Sequence, residues 1–304
     1  MRSLLLLAHT RLPASYMILA DPIVHHPLSY TVGPLTFTGF GVAVLMAFVV
    51  AQIIGQRELT RRGFDPEPVS DMIFAAVIGG LLGAKLYYVV VLGNWDALFT
   101  RSGFVFWGGL IGGMLAVMIV IWKKKIPMLR IFDVGAPAVA AAYAVGRTGC
   151  WAVGDDYGKP WPGGFLSVEF PNGAPPSTVG FMSHDFGVQF PPGTNPNTVV
   201  AVYPTQLIEV ALGLIMFGIL WRLRDHKHAE GWLFGVYCVL AGFERFLIEF
   251  LRAKDDRFLF AGGLSTAQLI AIAFMLGGVA WMWWRRDVTA TKPGIYALSA
   301  ERST

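Results

Sequence analysis

The stretch "VSDMIFAAVIGGLLGAKLYYVVVL", Val69 to Leu92, holds one aspartate near its start and one lysine, Lys85, deep inside an otherwise uncharged run. A segment needs roughly 20 predominantly apolar residues to cross about 30 Å of hydrocarbon, and a helix satisfies its own backbone there. Six more stretches have the same character: Thr31 to Gly55, Phe104 to Trp122, Ile131 to Trp151, Pro204 to Trp221, Gly231 to Phe250 and Leu264 to Trp284. The 304 residues are 55% hydrophobic and 14% charged, with a mean hydropathy of +0.55, which excludes an ordinary soluble domain. The expectation is an all-α polytopic membrane protein with seven transmembrane helices. Met1 to Ala20, with one arginine and four consecutive leucines before His9, reads as a weak signal peptide or equally as an over-extended start.

Between the fourth and fifth spans the chain is crowded with Gly and Pro, too long for a turn and too irregular for a helix. It reads as a small irregular extracytoplasmic head. The chain thus divides into an N-terminal extracytoplasmic segment (1–30), helices one to four (31–151), the head (152–203), helices five to seven (204–284) and a cytoplasmic tail (285–304). Lys and Arg set the orientation. Arg57, Arg61 and Arg62, then Lys123, Lys124, Lys125 and Arg130, then Arg222, Arg224 and Lys227, and finally Arg285 and Arg286 all fall on one side. The opposite connections hold Arg101 alone and Lys159 alone. The N-terminus is therefore expected outside and the C-terminus in the cytoplasm.

The connection after the sixth span breaks this pattern with Arg252, Lys254 and Arg257 on the outer side. These are either solvated charges offset by Asp255 and Asp256 or part of a positive cluster with Arg245 and with Arg147 at the outer end of the fourth span. Arginine is costly in the apolar zone and its planar guanidinium favours phosphate, so an outer-leaflet site for an anionic phospholipid headgroup follows. Lys85, Asp133, Glu209 beside Gln206, and Glu249 one turn beyond Arg245 add further buried charge. Some of these are expected only to hold the bundle together.

Small-xxx-small spacing at Gly79 and Gly83, at Gly108 and Gly112, and at Gly109 and Gly113 marks close helix contacts, as does the alanine-rich run from Ala136 to Ala144. Cys150 and Cys238 stand too far apart along the bundle to pair, and the histidines have no metal-ligand spacing, so neither a metal nor another cofactor is expected. No nucleotide-binding loop or nucleophile elbow is present, and nothing points to nucleic acid.

The segment "GRTGCWAVGDDYG", Gly146 to Gly158, resembles the signature of the prolipoprotein diacylglyceryl transferase family. The likeness continues through "GPLTFTGFGVAV", "GAKLYYVV", "GFVFWGGLIGG", "YPTQLIE", "RFLIEFLR" and "LSTAQLI", in family order from about Val32 to Trp284. The resemblance implies a bacterial inner-membrane enzyme that moves the diacylglyceryl group of phosphatidylglycerol onto the lipobox cysteine thiol of a preprolipoprotein signal peptide, releasing glycerol phosphate. It implies Arg147, Arg245, Asp155 and Glu249 as catalytic residues. The same arginines, with Glu209, Gln206, Lys85, Gly154 and Gly158, fall on motif positions expected to bind substrate. Four polar family positions differ: Thr38, Phe40 and Ala241 stand where the pattern has His, Tyr and Tyr, and Trp107 replaces the histidine proposed as a base. Cys150 and Asp155 replace an asparagine and a glutamate of the signature. A non-catalytic paralogue that binds phospholipid or lipoprotein is the alternative.

Overall fold

The computed structural model describes residues 21–33, 35–100, 103–253, 257–258 and 263–286. In chain order these form β1 (Ile23–Val24), β2 (Ser29–Val32), β3 (Leu35–Thr38), α1 (Gly39–Arg61), α2 (Glu67–Leu92), α3 (Phe106–Lys123), α4 (Met128–Val153), β4 (Val168–Glu169), α5 (Val179–Phe186), α6 (Thr205–Leu223), α7 (Trp232–Ile248), β5 (Arg257–Phe258), β6 (Leu264–Ser265) and α8 (Thr266–Trp284). Met1 to Ala20, Arg101, Lys254 to Asp256 and the tail beyond Arg286 lie outside the described residues, as does the side chain of Arg257.

Among the described residues six helices, α1, α2, α3, α4, α6 and α8, are long and apolar enough to cross a membrane. The seventh expected span falls on α7, which has 17 residues and leaves regular helix at the charged stretch around Glu249, so it is shorter than the other six. The first expected span also begins too early. Residues 29–38 pair as an antiparallel hairpin, with Tyr30 opposite Phe37, before α1 starts at Gly39. Alternating β-branched and aromatic residues around the turn at Gly33, where φ is +57°, favour strands over a helical start. Thr38 then caps α1, its hydroxyl accepting the Gly41 amide at 3.2 Å.

Side chains facing outward along the bundle are large and apolar, among them Phe74, Val90, Phe106 and Leu276. Lipid is the solvent such a surface requires. Inside, the glycine spacing produces the contact it implies. A Cβ at Gly83 would lie 2.3 Å from the Gly108 oxygen, and one at Gly112 would lie 2.3 Å from the Gly79 oxygen, so only glycine lets the α2 and α3 backbones meet. Helix α4 is central and packs on α1, α6 and α7. Its Ala136, Ala138, Ala140, Ala141 and Ala144 are all buried, and Tyr143 joins an apolar cluster with Met216, Leu220, Leu233 and Val236.

At the arginine-rich end, buried ion pairs hold the helices in place. Glu58, fully buried, accepts from Arg61 and Arg62 at 2.6–2.9 Å and faces Arg224 at 3.8 Å. Asp133 of α4 accepts the Gly231 amide at 2.8 Å and the Phe234 amide at 3.1 Å, capping α7 from a neighbouring helix. Its duty is therefore structural. At the other end, residues 154–204 close over α4, α6 and α7 around a core of Tyr157, Val168, Phe170, Met182 and Val202. This segment contains the short helix α5, and β4 pairs in parallel with β1.

Candidate active site

Helix α4 ends at Gly154, where φ of +70° allows the left-handed cap, and a Cβ there would meet the Phe170 ring at 2.7 Å. The chain then turns sharply, with Asp156 itself at φ +54°. Aspartate tolerates this region better than most residues. Its backbone is held by the first turn of α6: Thr205 Oγ1 donates to the Asp156 carbonyl at 2.6 Å, and Gln206 Nε2 donates to the Asp155 carbonyl at 2.5 Å. Gly158 next bridges Arg252 across the chain, where a Cβ would lie 2.5 Å from the Leu251 oxygen. Gly154 and Gly158 thus serve the site through backbone shape. Together these constraints bring the head turn, α6 and the end of α7 to one point.

Three arginines and their carboxylate partners meet there. Arg147 of α4 pairs with Glu209 of α6, and donates to Asp156 Oδ2 at 3.0 Å and to the Cys150 sulfur at 3.2 Å. Arg252 reaches Asp156 Oδ1 at 2.9 Å, Glu209 at 4.0 Å and Glu249 at 3.9 Å. Arg245 pairs with Glu249 at 2.7 Å, and its side chain is 36% exposed, against 12% for Arg147. Tyr143 completes the network, donating to Glu244 Oε1 at 3.0 Å with Glu209 Oε1 at 3.4 Å.

The adjacent aspartates are driven in opposite directions. Burial and the charge of Asp156 push the Asp155 carboxyl up, against a hydrogen bond with Cys150 and the nearby arginines. Burial also opposes ionisation of Asp156, but Arg252 and Arg147 outweigh it and hold that carboxyl at about 2. Several polar atoms of the cluster are buried without a hydrogen-bond partner: the donors Arg147 Nε and Arg252 Nε, and the acceptors Asp155 Oδ1 and Gln206 Oε1. Such groups are costly in isolation and suit a ligand that carries both an anion and hydroxyls.

The ligand atoms of Cys150, Asp155 and Asp156 lie within 4.8 Å of one another. Arg147 contacts two of the three, so its guanidinium supplies the positive charge that a metal ion would bring.

Of the residues expected from sequence, Arg147, Arg245, Asp155, Glu209, Gln206 and Glu249 come together. Lys85 does not join them. Its ammonium donates to the Thr100 carbonyl at 2.7 Å and lies 5.1 Å from the Phe104 ring, bracing α2 against the connection to α3. Trp107 is exposed on the first turn of α3, and Ala241 packs against the apolar cluster beside Tyr143. Sequence reasoning left Arg252 open between loop charge and site, and did not single out Tyr143 or Glu244. Their signals are helical spacing and adjacency: Tyr143 is four residues before Arg147, Glu244 is next to Arg245, and Arg252 is three residues beyond Glu249.

The sequence profile of the family described as prolipoprotein diacylglyceryl transferase matches residues 27–284. A phosphatidylglycerol–prolipoprotein diacylglyceryl transferase of Paraburkholderia phymatum is 28% identical over 295 residues, covering 87% of this chain and 92% of its own. Proteins of that description from Burkholderia thailandensis and Clostridium tetani are each 28% identical, covering 87% and 83% of this chain and 94% and 95% of their own.

Proposed function

This chain belongs to the prolipoprotein diacylglyceryl transferase family, and from that premise we propose how its site does the work. It is a multi-pass membrane transferase that moves the diacylglyceryl group of phosphatidylglycerol to a prolipoprotein, as its relatives are named for doing. The acceptor is the lipobox cysteine thiol, and glycerol phosphate leaves. α7 is the seventh crossing, the segment from residue 154 to 204 is an extracytoplasmic head, and the site lies at the depth of the outer leaflet. The asymmetry of Lys and Arg supports this orientation.

The observation that carries the site assignment is the set of buried, unpartnered donors and acceptors at Arg147, Arg252, Asp155 and Gln206. Phosphatidylglycerol offers a phosphate for the first kind and glycerol hydroxyls for the second. Arg245 binds the phosphate from the more open side, since it pairs with one carboxylate and is the most exposed of the three arginines. Arg147 binds it from within. Glu209 and Glu249 hold the two guanidiniums in place, and Gln206 orients the glycerol. The thiolate sulfur attacks the carbon of the diacylated glycerol that bears the phosphate, not the headgroup glycerol. A carbon–sulfur bond forms, the carbon–oxygen bond breaks, and its electron pair leaves on the phosphate, where the arginines meet the growing charge. Asp155 takes the thiol proton, because its raised proton affinity makes it a better base than an ordinary carboxylate. The proton then passes to the departing phosphate.

Purified protein given phosphatidylglycerol and a lipobox peptide tests this. Wild type is expected to transfer the diacylglyceryl group. Arg147→Lys and Arg245→Lys keep the charge but lose the fork, so each is expected to lower transfer at least about tenfold, or about 1.4 kcal/mol of barrier, in protein that still folds. Near wild-type rates in both would reduce these arginines to partners of Glu209 and Glu249.

A further inference from the structure

Glu244 is buried at 7% exposure, and among the described residues it forms no ion pair within 4.0 Å. Its hydrogen-bond partner is the Tyr143 phenol, at 3.0 Å. The same phenol oxygen lies 3.4 Å from Glu209. A phenol has one proton to give, so Tyr143 cannot serve both carboxylates at once. While Arg147 holds Glu209, the phenol is free to serve Glu244.

Binding an anion changes this balance. When Arg147 turns towards a phosphate, Glu209 loses part of its partner and the phenol becomes its nearest neutral donor. Glu244 would then be a buried carboxylate without a donor, a costly state that gaining a proton relieves. The charge count points the same way. Asp155, Asp156, Glu209, Glu244 and Glu249 make five carboxylates against the three guanidiniums of Arg147, Arg245 and Arg252, before any phosphate arrives.

We propose that Tyr143 and Glu244 couple headgroup binding to proton uptake: as the phosphate takes Arg147, the phenol passes to Glu209 and Glu244 accepts one proton. This rests on the phosphatidylglycerol reading of the site above. One O–H bond forms on a Glu244 carboxylate oxygen as one breaks on the solvent or buffer acid that supplies the proton, and no other covalent bond changes. Glu244 acts through Tyr143 and Glu209, so it is a positioning residue.

The groups facing Glu244 are few. From α4 come Tyr143 and Arg147, and from α6 comes Glu209. α7 contributes Tyr237 and Arg245, with Glu249 and Arg252 just beyond its end, while the head turn brings Asp155 and Asp156. α8, which packs along α7, carries no titratable side chain.

Calorimetric titration of the full-length protein with dioleoylphosphatidylglycerol in detergent, repeated in buffers of different ionisation heat, counts the protons taken up. Wild type is expected to gain about one proton per lipid, and its affinity to fall with rising pH by up to about tenfold per pH unit. Glu244→Gln keeps a polar partner for Tyr143 and stays neutral, so its uptake should approach zero and its affinity should become flat with pH. In transfer assays the same variant should lose the pH dependence of KM while its kcat changes less. A merely structural role for Glu244 would leave proton uptake in the folded variant unchanged, and that result overturns the proposal. Wild type that binds the lipid without gaining a proton also overturns it and leaves the transferase reading intact. Wild type that neither binds nor transfers the lipid overturns both.

Discussion

Asp155 and Asp156 are neighbours in sequence with opposite tasks. Asp156 is held at about 2 because two guanidiniums outweigh its burial. Its folded value lies below the ordinary carboxylate value near 3.9, so its stabilisation is present above that value and fades as pH falls towards 2. The side chain is 35% exposed and water screens the pairing, so Asp156→Asn should cost about 1 kcal/mol at pH 7 rather than the full value of the shift. Asp155 behaves in the reverse sense. Its carboxyl is pushed up, so ionising it opposes folding, and this penalty is relieved as pH falls through its raised value. Asp155→Asn is therefore expected to raise thermal stability at pH 7 and, as the proposed thiol base is removed, to lower transfer. Heat unfolding of detergent-solubilised protein at pH 7, 5 and 3 checks both signs, and equal responses of the two variants would refute the split. The direction of each aspartate follows from which atoms face it, which adjacent letters in a sequence cannot reveal.

Helices pack here through absent side chains as much as through present ones. In water, apolar faces drive helices together, but in lipid the helix surface and the solvent are equally apolar, so close backbone approach carries the contact. Gly83 and Gly112 allow that approach between α2 and α3. Gly83→Leu would drive a side chain into the Gly108 carbonyl, so we expect a loss of about 1–3 kcal/mol and separation of the two helices. Disulfide trapping between cysteines placed at Ala84 and Gly109, whose Cβ positions lie 3.4 Å apart, should succeed in the parent and fail in Gly83→Leu. Trapping at full yield in both would show that the contact does not depend on glycine. The first strand hairpin is the opposite case: its residues are apolar enough to read as part of a span, yet β-branched alternation around a turn wins over helix.

For the molecule as a whole, charge asymmetry and function are linked. The arginine-rich end is tied across helices by Glu58, Asp133 and Glu230, while at the opposite end Arg147, Arg245 and Arg252 converge on one cluster of carboxylates. This division fits an outer-leaflet site with a cytoplasmic anchor. Asn172 is exposed on the head segment, 3.4 Å from His26. A cysteine placed at Asn172 should react with an impermeant thiol reagent in cells whose inner membrane is intact, whereas one at Lys227 should react only after that membrane is opened. The reverse pattern would invert the topology.

Apolar length, glycine spacing and the distribution of Lys and Arg need no tertiary contact to be read, because each acts through the local solvent. The membrane class, the α2–α3 contact and the family motifs were therefore visible from residue order alone. The site was visible only as a set of motif positions. Arg147 and Arg245 sit on helices far apart in the chain, and a folded bundle is needed to make Glu209 and Glu249 their partners. Lys85 matched a motif equally well, yet it turns to the α2–α3 connection, because what a buried charge does depends on its nearest partner. Arg252 is buried where its backbone bridges Gly158 and the Lys159 amide donates to the Leu251 carbonyl, while Tyr143 faces Glu244 because α4 crosses α7 at that level. Those partnerships are non-local, and charge–charge energies fall off within a few ångströms of contact, so only the packed structure decides them.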